Sequence, residues 1–452
     1  MFKDFDKQTP QSWKEKIITD LKGGNYNELL IWNSDEDISI DPFYTKQNRS
    51  ESSGLVFDNS DWEIVEYLKI ANEKENNNQL LHVLNWGATA LNLNISSKTD
   101  IDYDQLFDSI ALDCIGLIIT CHTNQSDLID KLLTYADSKY DLNKVNIRLC
   151  FDGFNTYYQS GEISDSLTED LLELKNLQDK FAYSSIKLFS IDLRYLQNSG
   201  AKINQQLAYT LSIAQYMVNA VGKTILPSIC IYTSHASNFF FETAKLRALR
   251  KLWHFYTDSY SIESNAWIYA ENSTRNKTVF DPYVNMLRTG SETLSAIIGG
   301  ADAVYTLPFD AIYKHQNAFS SRIARNQQVL IKGESYMDKV ADVANGAYYL
   351  EHLTHTFEQD AYKIFQSIDE KGWKDYLNSG QLKSDILEAQ MQSTDNFNDK
   401  QKPLLGTNLY PNLEETMSED IEIDIDPYHA SYIPCRRISI ESELERLANE
   451  KQ

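Results

Sequence analysis

The chain has 452 residues, enough for one large barrel with extensions or for two or three ordinary domains, and its 42% hydrophobic content is that of a globular protein. A formal net charge of -23 argues against a nucleic-acid partner and against an anionic membrane surface, since either is repelled unless a local basic patch intervenes. No basic segment followed by an apolar run opens the sequence and no apolar run reaches spanning length, so the expected localisation is cytoplasmic.

Residues 11–24 read as a short amphipathic helix with Trp13, Ile17 and Leu21 on one face and Gly23-Gly24 past its end. ELLIW and DISIDPFYT follow as strand-like pieces, and the serine-rich stretch from Lys46 to Ser60 reads as a loop; together these make an N-terminal arm, residues 1–60. From Trp62 the pattern changes to strands alternating with helices. EIVEYLKI, TALNLNI, CIGLIITC, NIRLCFD, IKLFSID, SICIYTS, AWIYAE and AVYTLPF are each separated by a helix-length segment. Short β-branched runs between helices imply a parallel sheet buried on both faces, and such units closing on themselves over residues 61–332 form a TIM-type (β/α)8 barrel. An open doubly wound sheet is the competing architecture. Residues 333–452 read as a helical extension. In it HLTHTFEQDAYKIFQSID carries Leu353, Phe357, Ala361, Ile364 and Ile368 along one side, a second helix runs near Gln381 to Gln392, and an acidic SEDIEIDIDP run follows. The last stretch, ISIESELERLANE, has little to bury and is expected to dock on a partner or fray.

Cys114, Cys121, Cys150, Cys230 and Cys435 are widely spaced, mostly within apolar runs, and read as free thiols of a reducing compartment. There is no C-x-x-C, and the pair His352 and His355 lacks the carboxylate and spacing of a zinc-hydrolase helix, so no metal site is expected.

In barrels of this kind the reacting groups stand at the C-terminal ends of the strands. Here those ends carry Cys121-His122, Asp152-Gly153, Asp192 to Gln197, Ser234-His235, Glu271 to Asn276 and Pro308 to Asp310. As bare residues they support acid–base work or, more plainly, helix caps and loop hydrogen bonds.

The stretch from Asp281 to Asp310 is the most informative. Asp281-Pro282 suits a helix start, Val284, Leu287, Leu294 and Ile298 fall on one apolar face, and Gly299-Gly300 closes the helix before the strand AVYTLPF. DPYVNMLRT and GGADAVYTLPFD, with ARNQQVLIKGES at 324–335 and ANGAYYLEHLT at 344–354, form four separated blocks in a fixed order. They resemble the substrate domain of the adenosylcobalamin-dependent acyl-CoA mutases, and within that family the small, or beta, subunits of methylmalonyl-CoA mutases.

The resemblance implies a (β/α)8 barrel, an arm that contacts another subunit, and an acyl-CoA rearrangement shared with a partner. Its departures matter as much as its matches. Catalytic members read Gly-Tyr-His-Met-Gln-Glu-Ala-Gly-Ala after the fifth strand, where this chain has Leu193 to Ala201 with Tyr195 at the histidine position. A phenol titrates near pH 10, outside the range in which imidazole donates a proton at neutrality. After the seventh strand a His-Ser-Gln-Thr-Ser-Gly run is replaced by Glu271-Asn272-Ser273-Thr274-Arg275-Asn276. The arginine- and tyrosine-rich segment that lines the acyl-CoA channel in catalytic chains has no counterpart between Tyr44 and Trp62. The cobalamin-binding domain, with its Asp-x-His-x-x-Gly loop, is not found after Lys332.

No catalytic residue is therefore expected. Arg194, Tyr195, Gln197, Glu271, Ser273, Arg275 and Asn276 are candidates for a vestigial pocket, and Tyr44, Arg247, Arg288 and Arg325 for contacts to the partner. Glu242 and Lys245 are read as a surface pair. The expected role is a small, non-catalytic subunit that binds no cofactor itself and stabilises a large, or alpha, subunit carrying adenosylcobalamin. The alternative is a catalytic barrel that uses a cobalamin domain on a separate chain.

Overall fold

The computed structural model of the chain describes residues 9–48, 57, 59–121 and 125–450. Most of the 49–60 loop and His122 lie outside the described residues. The arm begins with a helix, Pro10–Asp20, whose N-terminus is closed by a capping box between Thr9 and Ser12. The first strand-like piece proves to be mostly helical. Asn25 accepts from the Asn27 N–H and starts a turn over Tyr26–Leu30, leaving only β1 (Trp32–Asn33) extended, antiparallel to β2 (Ser39–Ile40).

All eight expected strands are present: β3 (Glu63–Lys69), β4 (Ala90–Asn94), β5 (Gly116–Cys121), β6 (Asn146–Phe151), the pair β7 (Ile186–Lys187) and β8 (Phe189–Asp192), β9 (Ile229–His235), β10 (Trp267–Asn272) and β11 (Ala303–Tyr305). They form a nearly closed parallel barrel in the order β7-β6-β5-β4-β3-β11-β10-β9-β8, not an open doubly wound sheet. Both free ends belong to the fifth expected strand, which breaks at Leu188: β7 pairs with β6, and β8 pairs with β9. A hydroxyl spans the seam. Ser190 Oγ accepts from the Phe151 N–H and donates to the Phe151 carbonyl, each at 2.8 Å, so no backbone group there is left unpaired.

Alternate residues of the strands separate two cores. Ile64, Leu91, Leu117, Ile147, Leu149, Ile231 and Ile268 face the surrounding helices, whereas Val65, Ala90, Ile118, Cys150, Tyr232, Trp267 and Tyr269 pack against one another inside the barrel. The helices Ile203–Val221, Phe239–Ser259 and Tyr348–Asp369 pack together outside it. The last of these buries Leu353, Phe357, Ala361 and Ile368 on the expected side.

Three expectations change in the folded chain. The helix expected from Asp281 starts at Val284, because Asp281 adopts a left-handed backbone (φ 51°) and hands its N–H to Glu415. That helix also buries a polar face, with Asn285, Arg288, Thr289, Glu292 and Thr293 inside, while Leu287 points outward. Glu242 and Lys245 do pair, at 2.5 Å, but both are buried against the barrel rim, where Lys245 also donates to Gln197 and to the Ser234 carbonyl and Glu242 accepts from the Ala236 N–H. The terminal helix, Ile440–Glu450, docks on its own chain: Glu443 accepts from the Val279 N–H and Glu450 from those of Met417 and Ser418. Carboxylates acting as acceptors for buried amides look, in sequence, like a solvated charged face. Among the described residues, no helix is long and apolar enough to cross a membrane.

Candidate functional site at the mouth of the barrel

The C-terminal ends of β6, β8 and β10 converge on Arg194, at the start of a short helix, Arg194–Asn198. Its guanidinium donates to Asp192 through Nε and Nη2 (2.9 and 2.5 Å), to Glu271 through Nη1 (2.9 Å), and to Cys150 Sγ (3.1 Å). The Tyr232 and Tyr269 rings lie 5.4 and 5.5 Å from it. A buried cation flanked by two carboxylates is charge-compensated and geometrically saturated. Against the loss of hydration, Asp192 and Glu271 hold Arg194 firmly protonated. Asp152 is the opposite case. Burial, reinforced by the neighbouring Asp192 carboxylate, keeps its carboxyl well above the usual range, and its Oδ1 accepts from the Phe154 N–H.

Tyr195 is committed elsewhere. Its hydroxyl donates to the Ile433 carbonyl at 2.9 Å, and its ring stacks on Tyr158 and meets Tyr428 edge-on. Burial raises the phenol to about 12, so at neutral pH it is a plain hydrogen-bond donor. The segment that receives it, Ile423 to Arg437, lies across the barrel mouth and closes a cavity of about 340 Å3 lined also by Asp152, Arg194, Asn198, Glu271 and Thr274. Below this cavity the axis is filled. Arg148 binds both oxygens of Glu63 (3.0 and 2.8 Å) and stands 4.2 Å above the Trp267 ring, with Tyr232 and Tyr269 between that pair and Arg194.

The pocket candidates thus divide. Arg194, Tyr195 and Glu271 line the mouth cavity, whereas Gln197, Ser273, Arg275 and Asn276 line a second cavity of about 560 Å3 between the barrel rim and the arm residues Trp32 to Glu36. Within one short helix, positions 194 and 195 face the axis and 197 faces sideways. Gln197 accepts from the Ser234 N–H and from Lys245, Ser273 donates to Asn198, Asn276 donates to Glu292, and Arg275 donates to the Arg436 carbonyl. Burial lowers Arg275 to about 10.

The four partner-contact candidates turn inward. Arg247 binds Asp342 and Glu351, Arg288 binds Asn285 and the Leu405 carbonyl, Arg325 binds Glu66 and the Trp86 carbonyl, and Tyr44 packs on Tyr349 and His352. Asp310 serves as an acceptor for Asn317. Among the described residues, no group of three or more His, Cys, Asp and Glu is placed to hold a metal ion.

Sequence reasoning missed the covering segment, including Tyr428, Cys435 and Arg437. A signal was available. In IEIDIDP, Ile421, Ile423 and Ile425 alternate with acids, the pattern of an extended piece with one apolar side, and Ile421 and Ile425 do pack on Val279, Phe280 and Tyr313.

Residues 95–434 match the family described as methylmalonyl-CoA mutase. A methylmalonyl-CoA mutase small subunit from Porphyromonas gingivalis is 28% identical over an alignment covering 100% of this chain and 78% of that protein. The methylmalonyl-CoA mutase of Rhizobium meliloti is 24% identical over 91% of this chain and 66% of its own length, and the human mitochondrial methylmalonyl-CoA mutase 26% identical over 91% and 62%.

Proposed function

The chain belongs to the methylmalonyl-CoA mutase family, and from that premise we propose that it is the small, non-catalytic subunit of a heterodimeric mutase. Its partner is a large subunit that carries adenosylcobalamin and interconverts methylmalonyl-CoA and succinyl-CoA in the cytoplasm. The observation that carries this reading is the filled barrel axis. Trp267, Tyr232, Tyr269 and the Arg148–Glu63 pair occupy the space a thioester arm would need, and Arg194 and Tyr195 are saturated by groups of the chain itself. A side chain already holding an internal partner must break that bond before it can bind a substrate.

The residues after the barrel do not fit a cobalt ligand. His352 packs on the Tyr44 ring and burial lowers its basicity, His355 faces Glu358, and His429 Nδ1 lies 2.9 Å from the Asp426 carbonyl; none is in an Asp-x-His-x-x-Gly loop. Free thiols at all five cysteines suit a reducing compartment. The contribution to the complex is then structural: a rigid barrel whose binding to the large subunit shifts that subunit towards its folded form. Purified alone, the chain should bind no cobalamin in an absorbance titration and turn over no acyl-CoA. Stoichiometric cobalamin on the isolated chain would overturn the reading.

The cavity beneath residues 423–437 favours a second reading, a catalytic barrel served by a cobalamin domain on another chain. Tyr195→Ala in the reconstituted complex separates the two. Turnover lost with assembly intact supports the second reading; unchanged turnover supports the first.

A further inference from the structure

We infer that Tyr283 and Leu287, together with Tyr410 and Leu413 on the adjoining loop, form a docking platform for the catalytic partner chain, whose matching face is apolar with a basic rim. This rests on the small-subunit reading above. On the helix Val284–Gly299 the usual arrangement is inverted: the polar side is buried and Leu287 is 70% exposed, with Tyr283 just before it 61% exposed. The Tyr283 ring lies 5.3 Å from that of the buried Phe309, which backs it from the barrel side.

The loop beside this helix is held at both ends. Gly406 packs so closely on Asp281 that a Cβ there would lie 2.8 Å from the aspartate Cβ, and Glu415 accepts from the Asp281 N–H at 2.7 Å. Arg288 fixes the Leu405 carbonyl and Arg446 those of Asn412 and Glu415. Between these anchors Tyr410 and Leu413 project, each 80% exposed, and Tyr410 adopts a left-handed backbone (φ 50°) that a bulky residue avoids. Anchoring a strained loop in order to present two large apolar side chains to water opposes stability in the isolated chain, and a partner that buries them removes the conflict.

Charge selects the occupant. Glu414 and Glu419 flank the platform exposed, without an ion pair among the described residues, in a chain of net charge -23. Two copies would bring like charges together, whereas a partner with lysine or arginine around an apolar centre is attracted.

The test uses the full chain and a large mutase chain from the same organism, co-purified and titrated by sedimentation velocity. Leu287→Asp combined with Leu413→Asp should weaken association at least about 100-fold and leave the melting temperature of the isolated chain unchanged. Tyr410→Asn, a residue that tolerates the left-handed backbone, should weaken association while raising that temperature. Undiminished association of the double variant overturns the platform and leaves the subunit reading intact; failure of the wild-type pair to associate overturns both. A wild-type homodimer that the double variant dissolves assigns the face to a second copy and overturns the proposal; an association insensitive to salt overturns the basic rim.

Discussion

At position 195, where the family resemblance implies the place of a catalytic imidazole, stands a phenol, and its neighbourhood explains how it is held. The hydroxyl donates to the Ile433 carbonyl and meets Ser431, and so ties down the segment that covers the barrel mouth. A second residue behaves less passively. Burial raises Glu36 to about 7 from its ordinary 4.5, Ile203 opposes the rise by donating its N–H at 2.7 Å, Glu242 adds to it, and Lys402 and Lys202 counter it from the facing elements. A carboxyl raised on folding binds its proton more tightly in the native chain. Its stabilising contribution is therefore complete below about pH 4.5 and lost as pH climbs through about 7. The stability difference between wild type and Glu36→Gln, followed by urea unfolding from pH 4 to 8, should shift in favour of the variant across that window and be flat above it.

Among the elements, the broken fifth strand is where the barrel depends on a side chain. IKLFSID reads as one strand, and nothing in its alternation marks Leu188 as a break; the Leu188 N–H and the Ile186 carbonyl are both taken by Gln178, a residue on the preceding helix. Closing a barrel requires its strands to shear, and here the shear is absorbed at one residue. Ser190→Ala removes both hydrogen bonds to Phe151 and leaves a buried N–H and carbonyl unpaired, a loss of roughly 1–3 kcal/mol. Faster amide exchange at Phe151 should accompany it. The helix Val284–Gly299 teaches a related lesson. Its spacing put Val284, Leu287, Leu294 and Ile298 on one apolar face, yet Leu287 is exposed and the other three only partly buried, because Lys277, fully buried, needs Glu292 at 2.8 Å, and that pair together with Asn285 and Arg288 sets which side faces in.

For the molecule as a whole, stability and the proposed loss of substrate access rest on the same feature, the packing of the axis. Trp267 supports the Arg148 guanidinium and meets Tyr232, so Trp267→Ala should cost about 3–5 kcal/mol in urea unfolding. It should not create acyl-CoA affinity, because Arg194 remains clamped by Asp192 and Glu271 above the void.

The eight strands, the helices between them and the family blocks were legible because period-two and period-3.6 patterns are local and recur along the chain. By itself, then, the sequence determined the barrel and the family. Tertiary structure alone decided that the pocket candidates split between two cavities, that the arginines turn inward, and that residues 423–437 close the mouth. Those outcomes depend on pairings between residues tens to hundreds of positions apart, such as Tyr195 with Ile433 and Arg194 with Glu271. Burial gives such pairings their strength, and burial exists only once the chain has closed on itself.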